Sequence, residues 1–555
     1  MGAGSGTVAL GGTSAGSTPD ATRACVANVP PPEAVRGHRL GHPHYHERMF
    51  VRRSLRSLIA AVVVVSGGLA APPVGAADAL PKNLDELRSL SVTQARAVAA
   101  RGGFVSLGGV TNLGPDVAAA LASHDGVLAF DALADLDEAA ARALARHPGP
   151  LYLDGLTHLE PRVADALAPH EGELSLGGLA QLPAATAAAL ARHQGDLFLN
   201  GLESVTAATF VPLRQFPYGL FLDGLTELPA DAATELAARD GYLSLDAVTQ
   251  LSTEAATALA AHAGPLSLSG LTTLTPTVAA ALGGHHGSLF LDGITTLDAA
   301  LATALTRHDG DLSLLGLSAL SPEAAAALAA HDGGLLLDGV TSLDEATARA
   351  LAACKGDLSL GGLRELPKPV AEALTRHVGS LALGGLRTVE PGSAAALARH
   401  AGGLSLNGVT ELTPGAAAGL ARCSHALSLI SLADVSREVA AALGNHRAPL
   451  VLNGVTKLSP EAAAGLAQRE SGLELDGLAT LTDPVAAALA RHRGTLVLKG
   501  VTTLGKQAAT ALAAHDGVVV LTGLRSAPPD VIAILRKAPR IVLPADLHVA
   551  ERKKK

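Results

Sequence analysis

From Arg101 onward, apolar and polar positions along this chain recur with a period of 23 residues. With Arg101 as position 0, units begin at 124, 147, 170 and so on to 515, nineteen in all, with no insertion or deletion. Position +20 is Leu in every unit, from Leu121 to Leu535, and +6 is Leu in every unit but the one holding Phe130. Position +17 is Ala except at Phe210 and Ile532. Self-similarity at a fixed period of about 20–50 residues predicts a solenoid, whose units bury their apolar faces against one another.

Each unit carries two patterns. The stretch Leu266-Ser-Leu268-Ser-Gly270 alternates as a short strand does, with Leu at +4 and +6 turned inward and +5 turned outward. A turn follows, with an apolar residue at +9 and Leu at +12. Ser321-Pro322-Glu323, Ser459-Pro460-Glu461 and Thr275-Pro276 then place a capping hydroxyl before a Pro at the first helical position. Asp137, Asp298 and Asp344 supply the cap where Pro is missing. The Ala-rich helix that follows buries +16 and +20, four residues apart on one face, and Ala at +17 lets it lie close to the sheet. Gly at +2 is expected to close the helix with a left-handed cap.

One strand and one short helix per 23 residues, with Leu at the inward strand positions, resembles the leucine-rich-repeat solenoids of bacteria over roughly residues 79–545. The usual repeat, L-x-x-L-x-L-x-x-N-x-L, carries an interior Asn where this chain has Leu271, Ile294 or Val340 at +9, so an apolar row replaces the family's hydrogen-bond ladder. The resemblance implies an α/β strand–helix solenoid with a parallel inner sheet and short outer helices. It also implies a recognition scaffold whose strands line a concave surface. At a strand spacing of about 4.8 Å, nineteen units would make a sheet on the order of 85–90 Å long.

The sequence divides into residues 1–48 as an extension, 49–77 as a signal peptide, 78–100 as an N-terminal cap, 101–537 as the solenoid, and 538–555 as a C-terminal cap with a basic tail. The signal reading rests on Arg52, Arg53 and Arg56, an apolar run from Leu58 to Ala71, and small residues at Gly75, Ala76 and Ala77. That run of 14 residues is short of the roughly 20 a membrane span needs. Of the two Met residues, Met49 stands where a signal peptide would begin, so translation is expected to start there and the protein to be secreted or periplasmic. The His42, His44 and His46 cluster then falls outside the mature chain.

Composition narrows the function. Beyond residue 77 the chain has 35 basic and 48 acidic residues and no basic stripe, which argues against a nucleic-acid partner. Aromatics make up 2% and Trp is absent, so the core is a thin, uniform stack of Leu, Val and Ala.

Repeats turn each position into a column. Position 0 is His in thirteen units, including His124, His147, His170, His193, His262, His285, His308 and His331. A metal ladder would not tolerate the Phe216, Arg239, Cys354, Cys423 and Arg469 that share the column. A His closing each helix is instead expected to cap that helix's own carbonyls and meet the negative end of its dipole. Cys354 and Cys423 lie three repeats apart, too far for a disulfide. The Asp and Asn of position +7 (Asp131, Asp154, Asp223, Asp246, Asp292, Asp338 and Asp476; Asn200, Asn407 and Asn453) precede Gly in most units and are expected to serve a local turn rather than bind Ca²⁺. Gly500–Lys506 approaches a phosphate-binding loop, but Gln507 stands where Ser or Thr should hold Mg²⁺.

No catalytic, cofactor or metal constellation remains, so the chain is predicted not to be an enzyme. What interrupts the pattern is position +5, Ser in many units but aromatic at Tyr152, Phe198, Phe221 and Phe290. Nearby, Phe210 and Tyr218 occupy Ala and Gly slots. Two readings stand. Exposed on the strand face, the four aromatics are hot spots for a protein or cell-surface partner; alternatively, they pack against one another along the sheet, and the solenoid is a structural spacer of the cell envelope.

Overall fold

The computed structural model describes residues 80–545 and 547–549. The extension, the signal segment with Met49 and the His42–His46 cluster lie outside the described residues.

Nineteen repeats, with one more strand beyond the last of them, build a parallel sheet of 20 strands, each paired with its neighbour from the adjoining unit, from Phe104–Ser106 to Ile541–Val542. Register follows the repeat: Leu312 pairs with Leu335, and Leu335 with Leu358. Only the last pairing, Val519 with Ile541, is one residue short of the period. A helix of typically seven residues, such as Pro322–Leu328, returns the chain to the start of the next strand. Toward the C-terminus, Thr480–Leu481 pairs with Thr503–Leu504, and Ser526–Ala527 with His548–Val549, in two further short parallel ribbons.

The elements form for the reasons expected. Ser321, Ser459 and Thr275 accept hydrogen bonds from the N–H groups of Ala324, Ala462 and Val278, at 3.2, 3.1 and 3.3 Å. Asp137, Asp298 and Asp344 do the same at 2.7–2.8 Å. Between strand and helix lies one continuous core of +4, +6, +9, +17 and +20 side chains. The apolar row at +9 is fully inside, with Leu271, Ile294 and Val340 each 0–1% exposed.

The glycine reading needs correction. Among the described glycines only Gly103, in the first unit, has a positive φ. The later +2 glycines are there because units approach closely. A Cβ on Gly356 would lie 2.1 Å from the carbonyl oxygen of Gly333, and one on Gly385, at +8, 2.2 Å from that of Gly361. Glycine here sets the pitch of the stack rather than the hand of a cap.

Candidate functional site

The His column is a structural device, with details the sequence did not disclose. Its rings are buried and stack from unit to unit, with centroids 5.4–6.2 Å apart and planes within 19° in the pairs that adjoin. Most of the ring hydrogen bonds run backward along the solenoid, not to the ring's own helix as expected, while those from Nε2 of His170 and His377 reach the carbonyls of Glu173 and Ser380 in their own units. His124, His331 and His515 each donate from Nε2 to the +2 carbonyl of the preceding unit, at Gly103, Gly310 and Gly494, over 2.8–3.0 Å. Nor do His147, His193, His262, His285 and His308 answer the helix dipole as cations. Burial lowers His147, His193, His262 and His308 to about 4 and His285 to about 3, with cationic neighbours, mostly the next rings, reinforcing the effect in most of them.

Carbonyl oxygens beside the column explain how it accepts arginine. Arg239 donates to the carbonyls of Tyr242 (2.9 Å), Phe216 (3.3 Å) and Tyr218, and Arg469 to those of Ala448 and Ser471. Burial pulls both guanidinium groups down to about 10, which still leaves them charged at neutral pH. Cys354 and Cys423 are free and buried, and burial raises their thiols to about 12 and about 11.

The Asp column is likewise more than a local turn. The +9 N–H to +6 carbonyl turn is present, as from Val340 to Leu337 at 3.0 Å. Six of the seven Asp, all but Asp131, also reach into the next unit. Asp338 accepts from the Ser359 hydroxyl at 2.5 Å and the Gly361 N–H at 2.6 Å, and Asp154 accepts in the same way from Ser175 and Gly177. Ser at +5 and Asp at +7 are therefore one inter-repeat ladder on the outer face of the strands. Asp131 has its carboxyl pushed up by burial and by the charges of Asp154 and Asp85. Among the described residues no group of three or more His, Cys, Asp or Glu is placed to hold a metal ion.

Of the four aromatics, Phe198 and Phe221 are not exposed as the hot-spot reading requires: each is only 6% accessible, and their rings stack at 4.0 Å. Tyr242, overlooked because it stands at +3 rather than in the +5 column, leans over the sheet against Phe221 (5.3 Å) and toward Phe290 (6.2 Å). The three form one apolar island with Phe290 at its margin. Tyr242 covers Ser244 and Ser267, which are 0–1% exposed, and burial drives its phenol well above its ordinary range. Phe290 and Tyr152 remain half-exposed. Tyr152 stands two units before Phe198 and donates from its hydroxyl to Glu173 at 3.5 Å. The structure thus gathers Phe198, Phe221 and Phe290 around Tyr242. In the sequence, Tyr242 was visible only as a bulky residue in a slot that is small or polar in most other units, Phe104 being the other aromatic there.

The chain is a strand–helix solenoid like those of leucine-rich-repeat proteins. No known family model matches its sequence, and no curated protein does. Among solved structures it is similar to a leucine-rich-repeat protein of Leptospira interrogans, at 17% identity over 87% of this chain and 100% of that one, with a TM-score of 0.30. An internalin of Listeria monocytogenes is similar at 13% identity over 64% of this chain and 92% of that one, TM-score 0.32. The TLR13–ssRNA13 complex is similar at 16% identity over 85% of this chain and 65% of that one, TM-score 0.34. The assignment of architecture stands on the chain's own repeat and register. No helix among the described residues is long and apolar enough to cross a membrane.

Proposed function

We propose that this chain is a non-enzymatic, exported recognition scaffold that binds a protein or cell-surface macromolecule through the outer face of its strands, in the region from Tyr152 to Phe290. The observation carrying this reading is the cluster of aromatic rings on the strand face. A ladder of Ser and Asp runs along much of that face, and between Tyr152 and Phe290 aromatic side chains gather on it. Half-exposed aromatics beside the Asp223, Asp246 and Asp292 carboxylates suit a partner segment carrying both apolar and cationic groups. Preference for a protein over nucleic acid rests on charge alone; the fold does not separate the two.

The burial of Phe198 and Phe221 favours the second reading, a spacer whose aromatics only seal the sheet. One experiment separates them. Wild type and a Tyr152→Ser/Phe290→Ser double variant, matched in circular dichroism and melting temperature, are immobilised side by side and exposed to envelope extract and culture medium of the source cells. A partner retained at least ten-fold less by the variant supports recognition through this face; identical retained sets overturn it. Export is tested separately by the N-terminus of the native protein, which should lie at Ala77 or Asp78; an intact Met1 in the cytoplasm would refute it.

A further inference from the structure

The unit that begins at Cys423 departs from the pattern at four structural columns at once. Cys replaces the ring at position 0, His425 and Ser431 replace the two pitch-setting glycines, and Ile430 replaces the Asp of the ladder and is 42% exposed. The sheet registers the change. The rung from the Leu404 N–H to the Ala426 carbonyl measures 3.3 Å, whereas the equivalent rungs from Leu381 and Leu427 are 2.9 and 3.0 Å.

A cavity of about 580 Å³ opens there, between the C-terminal ends of the helices Pro414–Leu420 and Arg437–Leu443. Ala418, Ala421 and Ala442 give it an apolar wall, and Arg422, Arg447 and Ser424 give it polar groups. A Cys side chain is smaller than the imidazole it replaces, which accounts for part of the space.

The charge in this cavity is unbalanced. In the same two surface columns some ions pair, Arg399 with Glu372, Lys355 with Asp332, His286 with Asp309 and Asp516 with Arg540, while others, such as Arg376 and Arg491, have no such partner among the described residues. Arg422 and Arg447 have no side-chain hydrogen bond or ion pair among the described residues, and no carboxylate lines the cavity. Arg422 and Arg447 thus bring two positive charges to the lining of one cavity, in a chain whose net charge is −9. Each guanidinium offers a planar fork of donors that matches two oxygens of a tetrahedral oxyanion, and two of them together match a dianion better than a single negative charge. The cavity is larger than an inorganic phosphate needs, and its alanine wall would seat a carbon skeleton.

We propose that this cavity binds a phosphate monoester of a small organic molecule, with the phosphate between Arg422 and Arg447 and the organic part against Ala418, Ala421 and Ala442. The site lies on the helix side of the C-terminal half, away from the aromatic island, so it does not depend on the recognition reading above.

The test is calorimetric titration with phenyl phosphate at fixed ionic strength, with inorganic phosphate and phenol as the two halves of the ligand. Saturable sub-millimolar binding of phenyl phosphate, at least ten-fold tighter than either half, is expected. Arg422→Gln and Arg447→Gln should each weaken it at least ten-fold without moving the melting temperature. Arg399→Gln, which removes a neighbouring arginine already paired and outside the cavity, should leave it unchanged. Binding of phenyl phosphate no tighter than phenol overturns the proposal, as does an equal loss in Arg399→Gln or no loss in either cavity variant.

Discussion

Acidification from pH 7.5 to 5 should destabilise this solenoid through its histidines, well before its carboxylates titrate. A ring with a folded pKa of about 4 and an unfolded value of 6.5 binds its proton more readily in the unfolded chain. Its contribution to stability is therefore complete above pH 6.5 and is lost as pH falls toward 4. At pH 5 the loss is about 2 kcal/mol per ring, since one pKa unit corresponds to about 1.4 kcal/mol. His262, His285 and His308 are consecutive and 0–1% exposed, so this short run alone loses about 6 kcal/mol. That compares with a total of about 5–15 kcal/mol for an ordinary domain. Carboxylates held below their ordinary range, such as the N-cap Asp344, add their own loss only at lower pH. Melts followed by far-ultraviolet circular dichroism at pH 7.5, 6.5, 5.5 and 5.0, at constant ionic strength, check the slope. The variant His285→Gln isolates the cause, because glutamine keeps a polar N–H donor of similar reach but does not titrate. Its stability relative to wild type should improve between pH 7.5 and 5.0 by an amount equivalent to about 2 kcal/mol. A melting temperature flat across that range, or a His285→Gln difference that does not change with pH, would refute the argument.

Three further outcomes follow from the packing. The adjacent residues Gly384 and Gly385 should respond oppositely to alanine: a Cβ on Gly384 meets nothing within 4 Å, whereas one on Gly385 lands 2.2 Å from the Gly361 carbonyl oxygen. Gly384→Ala should leave the melting temperature unchanged or raise it slightly, and Gly385→Ala should lower it by several degrees. Asp338→Ala removes the acceptor for both the Ser359 hydroxyl and the Gly361 N–H and should cost about 1–3 kcal/mol in denaturant unfolding, while Asp338→Asn should cost less because one oxygen can still accept. Cys354 and Cys423 should stay unlabelled by a thiol reagent at pH 8 in the native state and react at once in denaturant; rapid native labelling of Cys354 would contradict its burial and a thiol pKa of about 12.

The period, the strand–helix alternation, the N-caps and the apolar row at +9 were all legible in the sequence. A repeat without insertions makes every unit face the same neighbours, so local patterns translate directly into a stack. The capping hydroxyls of Ser321 and Ser459 act within their own helices, and such contacts can be read from spacing alone. Contacts between units could not be read that way. That Gly385 spaces the repeats, that His124 donates to Gly103 rather than to its own helix, and that Asp338 serves Ser359 all depend on how closely one unit lies on the next, at 21 to 24 residues' distance along the chain. The same holds for the aromatic island. The alternation of the strand placed Phe198 and Phe221 on the outer face. Only the packed sheet, by bringing Tyr242 over from another position, decided that they would be covered.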